Sequence, residues 1–131
     1  MFEEYNEMFR KVIELAEAYY KAECTKETYE STIDFDALED LKKDIEEKAL
    51  EDYLDKLDYE VIKVLQTIMY IGRDGIDEKD ISPQQIYERA REYFDSRGWH
   101  EDKMIEIYLM TEKFPLVNYL KDGFKLLKIS I

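Results

Sequence analysis

The stretch VIKVLQTIMYI, residues 61–71, is apolar on almost every side and decides the fold. Its length suits a helix, but its β-branched residues leave a buried strand open when periodicity alone is considered. The chain offers no second stretch that would pair with it as a strand, so we predict a buried central helix at about 59–71. Asp58 supplies an N-cap for this helix, and Gly72 can end it in the left-handed cap conformation.

The segments around this stretch are amphipathic and have the apolar spacing of helices. In Ser82-Pro83-Gln84-Gln85, an N-cap serine, a first-turn proline and a capping-box glutamine together mark the start of a helix. The predicted surrounding helices cover residues 2–23, roughly 36–56, about 83–97, about 101–112 and about 115–128, with a polar connection at 24–35. We therefore predict an all-α fold, in which residues 1–131 form a compact single domain of five or six helices around the central helix.

Negative charge is concentrated in the first part of the chain. Residues 1–60 contain 20 Asp/Glu and 8 Lys/Arg, whereas residues 61–131 contain 12 and 11. The predicted domain thus has an acidic amphipathic N-terminal half, 1–58, and a near-neutral C-terminal half, 59–131. Nucleic acid is disfavoured as a partner, because binding to it depends on Lys and Arg that neutralise phosphates.

The sequence favours a cytoplasmic location without a membrane partner. Cys24 is the only cysteine, so no disulfide can form within the chain, as is usual in a reducing compartment. The N-terminal residues lack the basic and apolar regions of a secretory signal. No stretch reaches the roughly 18 consecutive apolar residues that a membrane span needs.

The candidate partner-binding residues lie in the acidic half. Tyrosine favours interfaces because it combines a large apolar area with one polar tip. Adjacent residues on a helix point about 100° apart, so at least one of Tyr19 and Tyr20 is expected to face outward. The leading hypothesis is a non-enzymatic module without a cofactor that binds a basic protein through its acidic surface. The predicted contact residues are Tyr19, Tyr20, Glu39, Asp40, Glu46 and Glu47.

Two other functions stay open. All-α nucleotide pyrophosphohydrolases hold Mg²⁺ with an E-x-x-E pair followed by an E-x-x-D pair; Glu14 and Glu17 match the first, and Asp52 and Asp55 are a loose substitute for the second. A chain with 32 Asp/Glu produces such spacings by chance, and a solvated helix face is the simpler interpretation. The third hypothesis is a structural subunit of a homodimer that forms through apolar helix faces.

His100 and the turn after the central helix are weaker candidates for chemistry. The only histidine, His100, can pair with Glu101 or Asp102, but a histidine in a surface loop is the simpler interpretation. The turn Gly72-Arg73-Asp74-Gly75 lacks the length and the Lys-Ser/Thr pair of a phosphate-binding P-loop. Arg73 remains a candidate site residue, because it follows an apolar helix that can partly enclose it.

Two motifs in the second half resemble those of a bacterial family of small helical domains of unknown function. One is Leu57-Asp58 followed by Met69-Tyr70-Ile71-Gly72-Arg73-Asp74-Gly75, and the other is Ile107-Tyr108-Leu109-Met110 followed by Phe114-Pro115-Leu116 and Tyr119-Leu120-Lys121-Asp122-Gly123. Their order and spacing agree over about residues 57–124, although Thr111-Glu112-Lys113 replaces a short glycine-containing link and the Arg-Asp-Gly order is shifted. The resemblance implies a helical fold and supplies no mechanism. The matching positions, expected to serve turns and packing, are Gly72, Arg73, Asp74, Gly75, Tyr108, Pro115, Leu116, Tyr119 and Gly123.

A central helix at 59–71 makes a direct prediction about stability. Replacing Leu65 or Ile68 by Ala should lower the free energy of unfolding by about 2–5 kcal/mol, because each change leaves a cavity in the core. Chemical denaturation followed by circular dichroism measures this loss. A spectrum with substantial sheet content, or two variants as stable as the wild type, would contradict the predicted fold.

Overall fold

The apolar stretch 61–71 forms the middle of a helix, and the protein is all-α as predicted. The computed structural model describes residues 1–26, 45–76 and 80–131, which contain helices and no strand. The predicted start of the second helix and most of the predicted connection at 24–35 lie outside these residues. No described helix has both the length and the apolar character needed to cross a membrane. After a 3-10 turn (Glu3–Tyr5), the described helices are α1 (Asn6–Lys26), α2 (Ile45–Asp55), α3 (Tyr59–Asp74), α4 (Pro83–Arg97), α5 (Lys103–Thr111) and α6 (Leu116–Leu126).

Helix α3 is the buried centre of the fold. Leu65 and Ile68 are fully buried, and most of the side chains from Val61 to Ile71 are buried with them. Helices α4, α5 and α6 all pack against α3, and its most extensive contact is with α6. Each large apolar side chain that is fully buried stabilises the fold by about 1.5–3 kcal/mol. The predicted central helix is therefore confirmed.

Helices α3 and α6 approach each other until their backbones touch, and a glycine on each makes this possible. A Cβ atom built on Gly123 would lie 2.3 Å from the carbonyl oxygen of Ile68, and one built on Gly72 would lie 1.8 Å from the carbonyl oxygen of Tyr119. Neither position has room for any side chain. The prediction that Gly72 ends the helix is wrong, because α3 continues to Asp74 and ends at Gly75, which has a φ of 75°.

The remaining helices surround this pair. Helix α1 packs against α2 and α6, and α2 also packs against α5. Phe9 of α1 is fully buried, with its ring centroid 5.1 Å from that of Phe124 on α6. Helix α1 runs to Lys26, beyond its predicted end at residue 23, so the first residues of the predicted connection are helical.

Helix α4 begins where the sequence predicts. The Ser82 hydroxyl accepts a hydrogen bond from the Gln85 backbone N–H at 3.2 Å, and the Gln85 side chain accepts one from the Ser82 backbone N–H at 3.0 Å. Farther along, Arg91 forms two hydrogen bonds to the Glu60 carboxylate of α3, at 2.7 and 3.0 Å. The capping box starts α4, and the bidentate ion pair fixes it against α3.

The contact between α3 and α6 can be tested with Gly123→Ala. Helix propensity alone predicts that alanine stabilises a helix interior by about 1 kcal/mol relative to glycine. We expect the opposite, a loss of about 1–3 kcal/mol, because the added Cβ overlaps the backbone of α3. Chemical denaturation gives the difference, and Asn118→Ala, an exposed position on the same helix, is the matched control and should change stability little. A G123A protein more stable than the wild type would refute the close approach.

Candidate functional site

Tyr19 and Tyr20 have different environments. Tyr19 is 4% exposed, and its hydroxyl donates a hydrogen bond to the carbonyl oxygen of Thr111 at 2.9 Å. This burial leaves Tyr19 no surface for a partner and removes it from the predicted contact residues. The half-buried Tyr20 stacks on Phe114 with ring centroids 5.9 Å apart, and Phe114 is 41% exposed. Tyr20 is thus the member of the pair that reaches the surface.

The predicted acidic residues that the structure describes lie at the start of α2. Glu46 and Glu47 occupy its first turn and are half-buried, a position in which the helix dipole stabilises a carboxylate. Ile45 beside them is 83% exposed. Glu39 and Asp40 lie outside the described residues.

A chain of buried hydrogen bonds links the middle of α2 to α1 and to the last residue of α5. Glu51, 6% exposed, accepts a hydrogen bond from the Thr111 hydroxyl at 3.2 Å. Thr111 is also the residue whose carbonyl oxygen binds the Tyr19 hydroxyl. These two hydrogen bonds join α1, α2 and α5 at Tyr19, Glu51 and Thr111.

The carboxylates of the metal hypothesis do not assemble into one site. In the described ranges, no three His, Cys, Asp or Glu side chains lie close enough to hold a metal ion. Each of the four carboxylates instead lies near a lysine. The pairs are Glu14–Lys11 at 3.7 Å, Glu17–Lys121 at 3.6 Å, Asp52–Lys48 at 3.8 Å and Asp55–Lys103 at 3.7 Å.

The positions matched by the family resemblance serve mostly turns and packing, as expected. Gly72, Gly123 and Tyr119 form the contact between α3 and α6, and Gly75 ends α3. Leu116 is buried at the start of α6, just after Pro115, whereas Tyr108 on α5 is 46% exposed. Arg73 and Asp74 lie instead beside an open groove.

A buried carboxylate, Glu106 of α5, forms a polar cluster that the sequence analysis did not identify. One of its oxygens is 2.8 Å from His100 Nδ1 and accepts a hydrogen bond from the His100 backbone N–H at 3.0 Å. The other oxygen accepts one from the Gln66 amide at 2.9 Å. Burial raises the pKa of Glu106, but the hydrogen bonds from His100 and Gln66 outweigh it and leave the pKa below its ordinary value.

His100 is an exposed histidine outside the helices, as the simpler interpretation predicts, and its carboxylate partner is Glu106, not Glu101 or Asp102. Asp102 serves as the N-cap of α5, where its side chain accepts a hydrogen bond from the Met104 backbone N–H at 2.9 Å. Glu101 is exposed. Glu106 lies one turn after Asp102 in α5, on the buried side of the helix, where it faces His100.

An open groove of about 310 Å³ lies next to this cluster, between the C-terminal ends of α3 and α4. The Arg73 guanidinium lies over the Tyr70 ring at 4.6 Å, and the Arg97 guanidinium lies 5.7 Å from the Phe94 ring. A smaller recess of about 30 Å³, lined by Gln66, adjoins the groove and shares Tyr70, Phe94 and Arg97 with it. The sequence contains a signal for this groove. Near the end of α3 and again near the end of α4, an aromatic residue is followed three positions later by an arginine.

The buried carboxylate makes a pH-dependent contribution to stability. We expect Glu106→Gln to lower the free energy of unfolding by about 1–3 kcal/mol near neutral pH, because His100 and Gln66 lose a charged acceptor. Since the pKa of Glu106 lies below 4.5 in the folded protein, this stabilisation is complete above that pH and is lost as the pH falls through the folded-state value. Chemical denaturation at a series of pH values should therefore show the gap between wild type and E106Q narrowing below pH 4.5. Glu101→Gln, an exposed neighbour, is the control; a gap independent of pH would contradict the assignment.

No protein-family model, curated protein or solved structure matches this chain. Its function is therefore inferred from the geometry and charge of its own residues.

Proposed function

We propose that this protein is a non-enzymatic binding module that engages a basic partner protein through an acidic face formed by Tyr20, Glu46 and Glu47. The observation that carries the proposal is the charge of α2, which contains five carboxylates and one lysine. Only Glu51 among these carboxylates is buried. The others lie at or near the surface, where they contribute to the field that a partner meets.

The arrangement of the acidic face supports contact with a protein surface. Tyr20 and Phe114 form a stacked aromatic pair at the surface, and Ile45 is largely exposed next to Glu46 and Glu47. The hydrogen bonds of Thr111 with Tyr19 and Glu51 hold α1, α2 and α5 together. Apolar and aromatic side chains beside charged ones are typical of protein interfaces, in which the charges surround a more apolar centre.

Charge favours a basic partner. The segment that precedes α2 in the chain, residues 27–44, adds seven Asp/Glu and two Lys to the carboxylates of α2. A concentration of one sign of charge speeds the encounter with a partner of the opposite sign. Salt weakens this attraction, since the Debye length is only about 8 Å at physiological ionic strength.

The proposed cellular location and the proposed family membership are both based on the sequence. The proposed compartment is the cytoplasm, because a chain with one cysteine suits a reducing environment. Membership of the bacterial family that the motifs of residues 57–124 resemble is likewise a proposal. A homodimer remains the alternative binding mode, and sedimentation of the purified protein distinguishes it from a heteromeric complex.

The proposal is tested by reversing charge at the acidic face. Glu46→Lys with Glu47→Lys should slow association with the basic partner several-fold and leave the helical content unchanged. The partner is first isolated by affinity capture from native lysate at low salt, released by a salt step and identified by mass spectrometry; stopped-flow mixing of the purified proteins then gives the association rate.

The matched control is Glu88→Lys with Glu92→Lys, which changes the net charge equally at exposed positions of α4. We expect the control to associate nearly as fast as the wild type. Equal slowing by both double variants would indicate an effect of net charge alone and would contradict a defined face. Adding Glu39→Lys and Asp40→Lys extends the test to the other predicted residues.

A further inference from the structure

We propose that the groove between the C-terminal ends of α3 and α4 binds a small planar anion, an aromatic ring that carries one phosphate or carboxylate group. This groove, called here the arginine groove, is lined by Tyr70, Arg73, Phe94 and Arg97. It is built from other helices than the acidic face, so the proposal stands independently of the proposed function.

The two arginines provide the anion-binding groups. Arg97 is exposed and forms no ion pair or hydrogen bond with any residue of the described ranges, where its contacts are with the rings of Tyr93 and Phe94. Arg73 donates from Nε and Nη2 to Asp74, at 2.8 and 3.3 Å, which leaves its Nη1 group available. A guanidinium binds carboxylate and phosphate oxygens through parallel hydrogen bonds.

The local charge contrasts with that of the whole protein. The rim of the arginine groove combines the guanidiniums of Arg73 and Arg97 with the single carboxylate of Asp74. The rim thus has a positive excess in a chain whose formal net charge is −13, whereas the recess behind it is lined by the carboxylate of Glu106. An anion that enters the groove therefore meets a local attraction opposed to the field of the rest of the surface.

The walls of the groove suit a planar ring. The rings of Tyr70 and Phe94 lie with centroids 5.1 Å apart at an angle of 30°, and Trp99 lies 6.1 Å beyond Phe94. Aromatic surfaces of this kind stack on flat ligands. A volume of about 310 Å³ is at the lower end of the usual range for small-molecule sites and fits one ring system with one anionic group.

A buried acceptor at the inner end of the site points to a ligand or a water molecule. The side-chain oxygen of Gln66 is buried without a hydrogen bond among the described residues, and Gln66 is 4% exposed. Its amide NH₂ is fixed by donation to Glu106, so the oxygen must face away from that carboxylate. The adjoining recess of about 30 Å³ has room for one water or for the N–H or O–H group of a ligand.

The single tryptophan reports on occupancy of the site. Trp99 is the only tryptophan of the chain and lines the recess. The full-length protein is titrated with phenyl phosphate and with benzoate, and with inorganic phosphate and phenol as the separate halves of the ligand. We expect a saturable change in Trp99 fluorescence with a ring-bearing anion, and binding at least about tenfold weaker for phosphate or phenol alone. The tighter of phenyl phosphate and benzoate identifies the anionic group.

Two arginine variants locate the binding. Arg97→Gln should weaken the binding of the tighter-binding ligand by about tenfold or more, because the variant loses an exposed guanidinium and leaves the core undisturbed. Arg10→Gln removes the same charge from an exposed position on α1 and should bind as the wild type does. Calorimetric titration repeats the measurement without relying on fluorescence.

Three outcomes would overturn the proposal. The first is an absence of saturable binding of both ring-bearing anions at millimolar concentrations. The second is equal weakening by R97Q and R10Q, which would mean attraction to net charge alone. The third is binding of inorganic phosphate as tight as that of phenyl phosphate, which would exclude a contribution from the aromatic walls.

Discussion

The backbone contact between α3 and α6 is the constraint on which the rest of the structure depends. At Gly72 and Gly123 no side chain separates the two helices, so their axes are closer than ordinary side-chain packing permits. The other sides of α3 are then free to receive α4 and α5, while α6 receives α1. Helix α2 packs against both α1 and α5 and is joined to this pair through them.

The main features of the fold could be predicted because each depends on a short, continuous stretch of sequence. A stretch apolar on all sides, 61–71, can only be buried, and the capping box at Ser82 and Gln85 defines a helix start within four residues. The role of Gly72 was predicted wrongly because a glycine near a helix end can serve either of two purposes. It can cap the helix, or it can allow another helix to approach closely. The choice between them is made by Tyr119, which lies on another helix and which the local sequence does not reveal.

The candidate site was predictable only in part, for similar reasons. Helical geometry indicates that Tyr19 and Tyr20 differ in exposure, but the position of Thr111 decides which one is buried. The pairing of His100 with Glu106 depends on where α5 begins and on Gln66 from α3. A net charge is a sum over the whole surface, so it gives no sign of a groove in which arginines and aromatic rings from two helices meet.

The pairing of α3 with α6 has a consequence for the synthesis of the chain. The two helices are separated by α4 and α5, so roughly 50 residues must be added after α3 before its partner exists. At typical translation rates of about 5–20 residues per second, this interval lasts several seconds. During that time the apolar surface of α3 facing its missing neighbour is open to other contacts. The nascent chain is consequently most exposed to aggregation, and most in need of a chaperone, just before α6 emerges.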